Sequence, residues 1–448
     1  MIAGGIFFDE ILPVFLRKES LSVDNIYKSN HRKIATWLSI IPGIGQFYNR
    51  QILKGTLFLI LGVSFLISFW DFIDLGIWGI ITLGEQLPRD NSIFLMVYGI
   101  ISIFLLVLAA IFMVINLRDA YKNGQRRDMG QQLNSVRSQY RNLIDNGFPY
   151  LMLTPGFFLL LFVVILPIIF VLLLAFTNYD LYHTWPAQLS DWVGLQNFTN
   201  LFTLEVWRET FISVFAWTII WTFGATTLQV ALGIFLAILV NQKDLKGKAI
   251  IRTVLILPWA VPAFVSILIF SGMFNESFGA INTVIMNALG IDSIPWMTEV
   301  LWTRIALIVI QTWLGFPFIF VMVTGVLQAI PNELYEAATV DGASVLQKFS
   351  NITFPLVMFS VAPILITQYT FNFNNFNVIY LFNSGGPAVP GQNAGGTDIL
   401  ISWIYNLTMS TQQYGMAAAI TMVMSVVVIA VAIWQFRRTK SFQEEDMM

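Results

Sequence analysis

The sequence predicts an all-α polytopic membrane protein with about eight transmembrane helices. Of its 448 residues, 56% are hydrophobic and only 11% are charged, whereas about 25% of the residues of a typical soluble domain carry a charge. The mean hydropathy is +0.72. Eight apolar runs approach or exceed the roughly 20 residues that a helix needs to cross a bilayer. In chain order they cover about residues 52 to 70, 93 to 115, 155 to 176, 211 to 240, 253 to 272, 305 to 327, 356 to 382 and 414 to 436.

The segments between these runs predict the orientation of the chain. Basic residues cluster in 1–54, 117–150, 243–252 and 437–440, and with Lys348 these segments hold 21 of the 24 lysines and arginines. Because Lys and Arg in short loops stay on the cytoplasmic side, we expect both termini and the loop after the sixth run to be cytoplasmic, in a plasma membrane protein. The opposite loops hold Arg89, Arg208 and Arg304 beside the acids Asp71, Asp74, Asp180, Asp191, Glu276, Asp292 and Asp398.

Composition disfavours several classes of function. Cysteine is absent, which excludes disulfides, Fe–S clusters and catalytic thiols. His31 and His183 are far apart in sequence, so we expect no metal site, no catalytic cluster and no cofactor. The net charge of −2 indicates no nucleic-acid partner.

The apolar runs also lack the groups that power many carriers. Their interiors contain no Asp, Glu, Lys or Arg, since Lys54 and Arg304 lie at run ends. Ion-coupled carriers usually keep ionisable groups at mid-membrane, and the chain has no G-x-x-x-x-G-K-[ST] phosphate-binding motif of its own. This weighs against an uncoupled channel, a secondary carrier or a membrane enzyme, and it predicts a separate cytoplasmic ATPase.

The acidic loop 331–355 is predicted to form a short helix. Asn332 is in position to cap it, acids in its first turn favour the positive end of the helix dipole, and Gly342 offers a place to turn. An acidic helix gains nothing from anionic lipid headgroups, so a basic protein partner suits it better. An ordinary capped loop helix is the alternative interpretation.

The segment EAATVDGAS within this loop is similar to the EAA loop of ABC importer permeases. In that family the loop forms a short helix that sits in a cleft of the ATP-hydrolysing subunit and transmits its closure to the membrane subunit. The resemblance implies an ATPase-coupling role for Glu336, Ala337, Ala338, Asp341 and Gly342.

A second pattern predicts a polar face inside the membrane. Gln368, Phe371, Asn372 and Asn375 are spaced i, i+3, i+4 and i+7, as one face of a helix requires. The same spacing recurs at Gln311, Leu314, Gly315 and Phe318. Rings and amides of this kind suit a neutral sugar. Alternatively, the amides only hold helices together and Gly315 only permits close packing.

Residues 150–440 resemble the maltose and maltodextrin permeases of the MalF/MalC type, through ILPWAVPAFVSILIF, QTWLGFPFIF, FNFNNFNVIYLFNSGGP and GGTDILISWIYNLT. The resemblance implies that the last six helices form a MalF-type ABC importer permease core. Leu314, Gly315, Phe371, Asn372 and Asn375 match the family pattern, whereas four positions depart from it. The implied sugar-binding residues are Trp259, Gln311, Leu314, Gly315, Phe318, Gln368, Phe371, Asn372 and Asn375, of which the departures are Trp259, Gln311, Phe318 and Gln368.

The resemblance also implies partners: a second homologous permease subunit forming a heterodimer, a cytoplasmic ABC ATPase dimer, an extracellular sugar-binding lipoprotein, an oligosaccharide substrate and membrane lipid. The leading hypothesis is import of maltose or maltodextrins; import of another oligosaccharide, such as galacto-oligosaccharides, is the alternative. The short outer loop 177–210 suggests a Gram-positive source.

The sequence predicts three regions along the chain. Residues 1–150 form an N-terminal region with two transmembrane helices and a basic cytoplasmic linker, 151–440 form the permease core, and 441–448 form a cytoplasmic tail. Residues 40–55, IIPGIGQFYNRQILKG, resemble a motif of small two-helix membrane modules and indicate no function. Prolines at 258, 262 and 317 are predicted to bend their helices.

Overall fold

The computed structural model describes residues 30–133, 136–242 and 245–438. Over these residues the chain is almost entirely helical, and its only β-type pairing is two isolated bridges. The predicted tail 441–448 and the first 29 residues of the basic N-terminal segment lie outside the described residues.

Residue contacts divide the chain into two units. The first comprises residues 1–82 and 93–167, and the second comprises residues 83–92 and 168–448. The helices of the N-terminal part are α1 His31–Leu38, α2 Ile44–Tyr48, α3 Ile52–Thr82, α4 Ser92–Asp128 and α5 Val136–Leu160, which continues through a π-helical turn Leu161–Ile165 into α6 Leu166–Leu174.

Helix α3 is longer than the first apolar run predicts. It takes in both the run and the apolar patch that follows, so Asp71 and Asp74 lie inside a helix of 31 residues and not in a loop. Both carboxylates are exposed. The prediction that they lie in a loop was therefore wrong, because the helix that begins in the first run continues past them. The physical reason is that eight further helix-compatible residues, 75–82, follow them without a proline.

The motif at 40–55 packs against α4 through buried polar contacts. Asn116 accepts a hydrogen bond from Gly43 N (3.3 Å) and donates one to the carbonyl of Ser39 (2.7 Å). Gln46 donates to the carbonyl of Asn116 (3.1 Å), and Asn49 donates to another α4 carbonyl (3.0 Å). The amide residues of this motif thus hold a short helical hairpin against a long helix.

The helices of the second unit follow a 21-residue segment, 175–195, after α6. They are α7 Gln196–Thr203, α8 Glu205–Val240, α9 Lys248–Ala260, α10 Ala263–Met273, α11 Val300–Ala329, α12 Asn332–Val340, α13 Val345–Lys348, α14 Phe354–Phe373, α15 Phe376–Asn383, α16 Leu400–Met409 and α17 Tyr414–Arg438, with π-helical turns at Ile281–Met286 and Phe349–Thr353. Helix α8 packs along α11, and Gly233 makes this possible because a Cβ there would lie 2.6 Å from Ile319.

All eight predicted runs lie on helices. Six helical segments of the described chain are long and apolar enough to cross a membrane, or seven if the bent pair α9 and α10 counts as one span. Residues Tyr414–Ala430 of α17 form a shorter apolar helix. The all-α polytopic fold class is therefore confirmed.

The three prolines act differently. Pro262 precedes α10 at a break where the axes of α9 and α10 turn by 89°. Pro258 and Pro317 lie inside continuous helices. A proline removes one backbone hydrogen bond, and only at Pro262 does the helix end.

The polar stripe of the seventh run is not one continuous helical face. Helix α14 ends at Phe373, and Asn375 precedes α15 with φ −79° and ψ 78°. Asparagine side chains compete with the helical backbone for hydrogen bonds, and residues 372, 374 and 375 are all asparagine. The prediction that Asn375 continues the face of Gln368 was wrong in its geometry, although the two residues do lie at one cavity, as described below.

Candidate functional site

A cavity of about 460 Å³ lies among helices α9, α10, α11, α14 and α15. Trp259 and Phe371 line it and expose 55% and 60% of their surface. Trp259 and Phe318 meet edge to face at 5.9 Å. Of the nine predicted residues, eight line this cavity: Trp259, Gln311, Leu314, Gly315, Phe318, Gln368, Phe371 and Asn375.

Asn372 is the predicted residue that does not line the cavity. It is fully buried, and its amide donates a hydrogen bond to Thr226 Oγ1 on α8 (2.8 Å). Its side-chain oxygen accepts a bond from Asn375 Nδ2 (3.3 Å). Asn372 therefore supports Asn375 from behind, as the alternative interpretation of helix-holding amides describes.

Sequence reasoning missed several lining residues. Asn377 and Val378 of α15 join the cavity, as do Pro258, Val261 and Pro262 near the bend. The asparagines at 372–375 could have revealed Asn377 and Val378, because these asparagines disfavour a continuous helix and so indicate that a separate helix follows.

A residue behind the cavity was also missed. Gln229 of α8 is fully buried and does not line the cavity, yet its side chain contacts two residues that do. Gln311 Nε2 donates to Gln229 Oε1 (3.1 Å), and Gln229 Nε2 donates to Gln368 Oε1 (3.3 Å). A Cβ at Gly315 would lie 1.9 Å from Gln229 Oε1. Gly315 is thus required for the approach of Gln229.

The side chains that line the cavity are uncharged. Among the described residues that line it, none carries a charge, and the polar ones are amides. Aromatic faces stack on the apolar faces of a sugar, while amides donate to and accept from its hydroxyls. The arrangement is suited to a neutral, hydroxyl-rich ligand.

The acidic loop forms the predicted helix, with one difference. Helix α12 begins at Asn332 itself, and Pro331 occupies the cap position without any side-chain capping bond. The prediction that Asn332 caps the helix was wrong, because Asn332 is the first helical residue and Pro331, with φ −59° and ψ 133°, is the residue before it. Gly342 turns the chain with φ +75°.

The predicted coupling residues of this loop are accessible. Glu336, Ala337, Asp341 and Gly342 are exposed, and Ala338 is half-buried. The apolar side chains of Val340, Val345 and Leu346 are also 74–88% exposed. The loop therefore offers both acidic and apolar surface to a partner.

A second cavity, of about 350 Å³, lies among the segment 177–182, α7 and the start of α17. Two of its polar side chains already form hydrogen bonds with backbone groups. Asn197 donates to the carbonyls of Ala175 and Thr177 (2.9 and 2.8 Å), and Asn178 accepts from a backbone N–H (2.7 Å). These two amides therefore stabilise the loop, and the first cavity remains the candidate site.

Comparison with known proteins shows which family the chain resembles. Residues 229–440 match the family described as the binding-protein-dependent transport system inner membrane component. The chain is 59% identical over 415 residues to the galactooligosaccharides transport system permease protein GanP of Bacillus subtilis, covering 93% of this chain and 99% of that protein. It is 47% identical over 432 residues to the maltodextrin transport system permease protein MalC of Streptococcus pneumoniae, covering 94% and 99%.

One solved structure extends the likeness to the fold. A bacterial ABC transporter involved in import of the acidic polysaccharide alginate matches with a TM-score of 0.56 and 21% identity, covering 68% of this chain and 98% of the matched chain.

Proposed function

Because the chain belongs to the sugar permeases of binding-protein-dependent ABC importers, of the MalF/MalC type, we propose that it passes a neutral oligosaccharide through the plasma membrane. The observation that carries the proposal is the uncharged cavity of about 460 Å³ in which rings and amides alternate. The proposed sugar-binding residues are the eight that line it, with Asn372 as support. As a transport subunit, the chain has no catalytic role of its own.

The substrate class is narrowed by the relatives. GanP is named for galacto-oligosaccharides and is 59% identical to this chain, whereas MalC is named for maltodextrins and is 47% identical. Both sugars fit an uncharged cavity. We therefore place galacto-oligosaccharides first and maltodextrins second, the reverse of the order that the sequence motifs favour.

The proposed assembly supplies the energy. A second homologous permease subunit pairs with this chain, an extracellular binding lipoprotein delivers the sugar, and a cytoplasmic ABC ATPase dimer grips the loop 331–355 through Glu336 and Gly342. Residues 151–440 form the transport core, and both termini are cytoplasmic in a Gram-positive cell. The uncharged interior of the core supports the proposal that a separate ATPase supplies the energy, since charged residues of α8, α9 and α11 lie only near helix ends.

Reconstitution tests the proposal. The chain, its partner permease, the ATPase and the binding protein are placed in liposomes, and uptake of labelled β-1,4-galactotriose and maltotriose is measured with and without ATP. We expect ATP-dependent uptake, faster for galactotriose. Uptake of neither sugar would reject the substrate class, and faster uptake of maltotriose would restore maltodextrins to first place.

A parallel measurement tests the energy source. The chain alone is placed in liposomes with an ion gradient and no nucleotide. We expect no uphill transport; accumulation of either sugar would identify a secondary carrier instead.

A further inference from the structure

Buried amides form a directional chain behind the cavity. Asn375 Nδ2 donates to Gln311 Oε1 (3.0 Å), Gln311 Nε2 donates to Gln229 Oε1 (3.1 Å), and Gln229 Nε2 donates to Gln368 Oε1 (3.3 Å). This hydrogen-bond chain therefore runs from the residue before α15 to α11, then to α8, and then to α14. Each amide passes a hydrogen bond to the next in the same direction.

The direction of this hydrogen-bond chain determines which amide atoms remain free to bond a ligand. The oxygen of Gln368 is occupied by Gln229, so its N–H groups are the ones free of hydrogen bonds within the described residues. Both N–H groups of Asn375 are engaged, one with Gln311 and one with Asn372, so its oxygen is left. The cavity therefore presents a donor at Gln368 and an acceptor at Asn375.

Gln229 is the link on which this polarity depends. It is fully buried and contributes no surface to the cavity, but it alone joins Gln311 to Gln368. If one amide of a head-to-tail chain rotates, a donor faces a donor, so all must rotate together. A side chain that cannot both accept and donate would release Gln368 to present either end.

We infer that Gln229 is a positioning residue that holds the N–H groups of Gln368 toward the cavity, so that Gln368 donates to a sugar oxygen. Asn375, whose N–H groups are held by Gln311 and Asn372, accepts from a sugar hydroxyl. This rests on the proposed function for the identity of the ligand. Discrimination between sugars then arises in part from a residue that no sugar touches. Buried donors or acceptors left without partners are costly, so a sugar with the wrong pattern of donors and acceptors is rejected.

A double-mutant cycle in the full reconstituted importer tests this role. Gln229→Met keeps side-chain length and volume while removing both hydrogen bonds, and Gln368→Met removes the donor itself. We expect each to raise the KM for galactotriose about tenfold, the effect of one lost hydrogen bond, with kcat changed less than about twofold. Because Gln229 acts through Gln368, the double variant should match Gln368→Met within about twofold.

The control is a matched buried hydroxyl. Thr222→Val removes a polar group from the same helix whose hydroxyl bonds only the carbonyl of Thr218 (2.6 Å), and we expect its KM to equal that of the wild type. An unchanged KM in Gln229→Met would overturn the inference. So would a KM raised about 100-fold in the double variant, because independent effects multiply.

A spectroscopic measurement separates this inference from the substrate proposal. In protein labelled with ¹⁵N-glutamine, the side-chain resonance of Gln368 is identified by its loss in Gln368→Met. We expect it to shift in Gln229→Met and to stay in place in Thr222→Val. If the wild type transports neither sugar, the proposed function fails, while a shifted resonance still supports the positioning role and an unmoved one overturns it.

Discussion

Gly315 occupies a position at which any side chain would strike Gln229. A Cβ there would lie 1.9 Å from Gln229 Oε1 and 2.5 Å from its amide carbon. The glycine is therefore explained by the amide behind it, and its place in the cavity wall follows from that close approach. One residue thus satisfies both interpretations that the sequence left open, close packing and a cavity wall.

Gly315→Ala is expected to displace Gln229 and to raise the KM for sugar several-fold. Overpacking of this kind costs about 1–3 kcal/mol of stability, measured as a lower unfolding midpoint in detergent. Gly325→Ala is the matched control, since it lies on the same helix and nothing lies within 4 Å of its Cβ position. Equal behaviour of the two variants would contradict the steric argument.

Asn375 and Asn372 are expected to differ when each is replaced by leucine. Asn375→Leu removes a polar group from the cavity wall, so uptake should lose affinity while kcat changes little. Asn372→Leu removes a buried group bonded to Thr226, so it should lower the stability by about 1–3 kcal/mol and affect uptake only indirectly. Sugar uptake kinetics and thermal unfolding on both variants check this; identical profiles would return Asn375 to a purely structural role.

At the scale of elements, the loop 331–355 depends on a turn that only glycine makes freely. Gly342 has φ +75°, ends α12 and sets the direction of α13. The capping box of Ser344 and Gln347 then starts α13. The geometry of this loop is therefore held by its own short-range bonds, as a transmitting element requires.

Gly342→Val should uncouple ATP hydrolysis from uptake. A β-branched residue in the left-handed region costs about 1–2 kcal/mol, which is enough to change the direction of the turn. The measurement is the ratio of sugar transported to ATP hydrolysed in liposomes. Gly290→Val is the control, because Gly290 also has a positive φ (+68°) and open space around it but lies before α11, away from the loop. A normal ratio in Gly342→Val would remove this turn from the coupling mechanism.

The hairpin at 40–55 in the first unit depends on Asn116 of α4. Its side chain both accepts from and donates to the hairpin backbone and is fully buried. Asn116→Leu leaves these backbone groups without partners, so we expect a loss of about 1–3 kcal/mol, read as a lower unfolding midpoint of the full chain. Thr56→Val serves as the control, because Thr56 is exposed on α3 and its hydroxyl bonds a carbonyl of its own helix, that of Ile52 (3.0 Å). An unchanged midpoint in Asn116→Leu would show that the hairpin stands without this bond.

The sequence predicted helices better than it predicted their ends. Every apolar run became a helix because length and hydropathy alone determine what can cross a bilayer. The interruption at 374–375 was missed, since a spacing of i, i+3, i+4 and i+7 describes a face only while the helix continues. Asp71 and Asp74 were misplaced for the opposite reason, because the helix continued where charge suggested an end.

Most residues that line the cavity were predictable from the sequence, but the buried residue behind it was not. Seven of the eight residues in the repeated pattern of rings and amides line the cavity, and Trp259, which the family resemblance implied, joins them. Gln229 had no such signal, since a single glutamine in an apolar run is compatible with any buried position. Only the packing of α8 on α11, across Gly315, makes it a neighbour of both Gln311 and Gln368.

At the scale of the whole molecule, the absence of cysteine makes the orientation testable residue by residue. Any cysteine introduced into this chain is its only thiol. Phe278 and Leu195 lie in segments predicted to be outside and expose 73% and 66% of their surface, whereas Met129 and Val340, predicted to be inside, expose 53% and 88%.

Four single-cysteine variants at these positions are labelled in intact cells with a membrane-impermeant maleimide. We expect labelling at Phe278 and Leu195, and labelling at Met129 and Val340 only after permeabilisation. The acidic character of loop 331–355 does not reverse this expectation, because lysine and arginine orient a chain whereas aspartate and glutamate contribute little. The loops 117–150 and 243–252, which the same rule predicts to be cytoplasmic, hold ten basic residues. Labelling of Val340 in intact cells would put the loop outside, beyond the reach of any cytoplasmic ATPase, and the proposed coupling would fail with it.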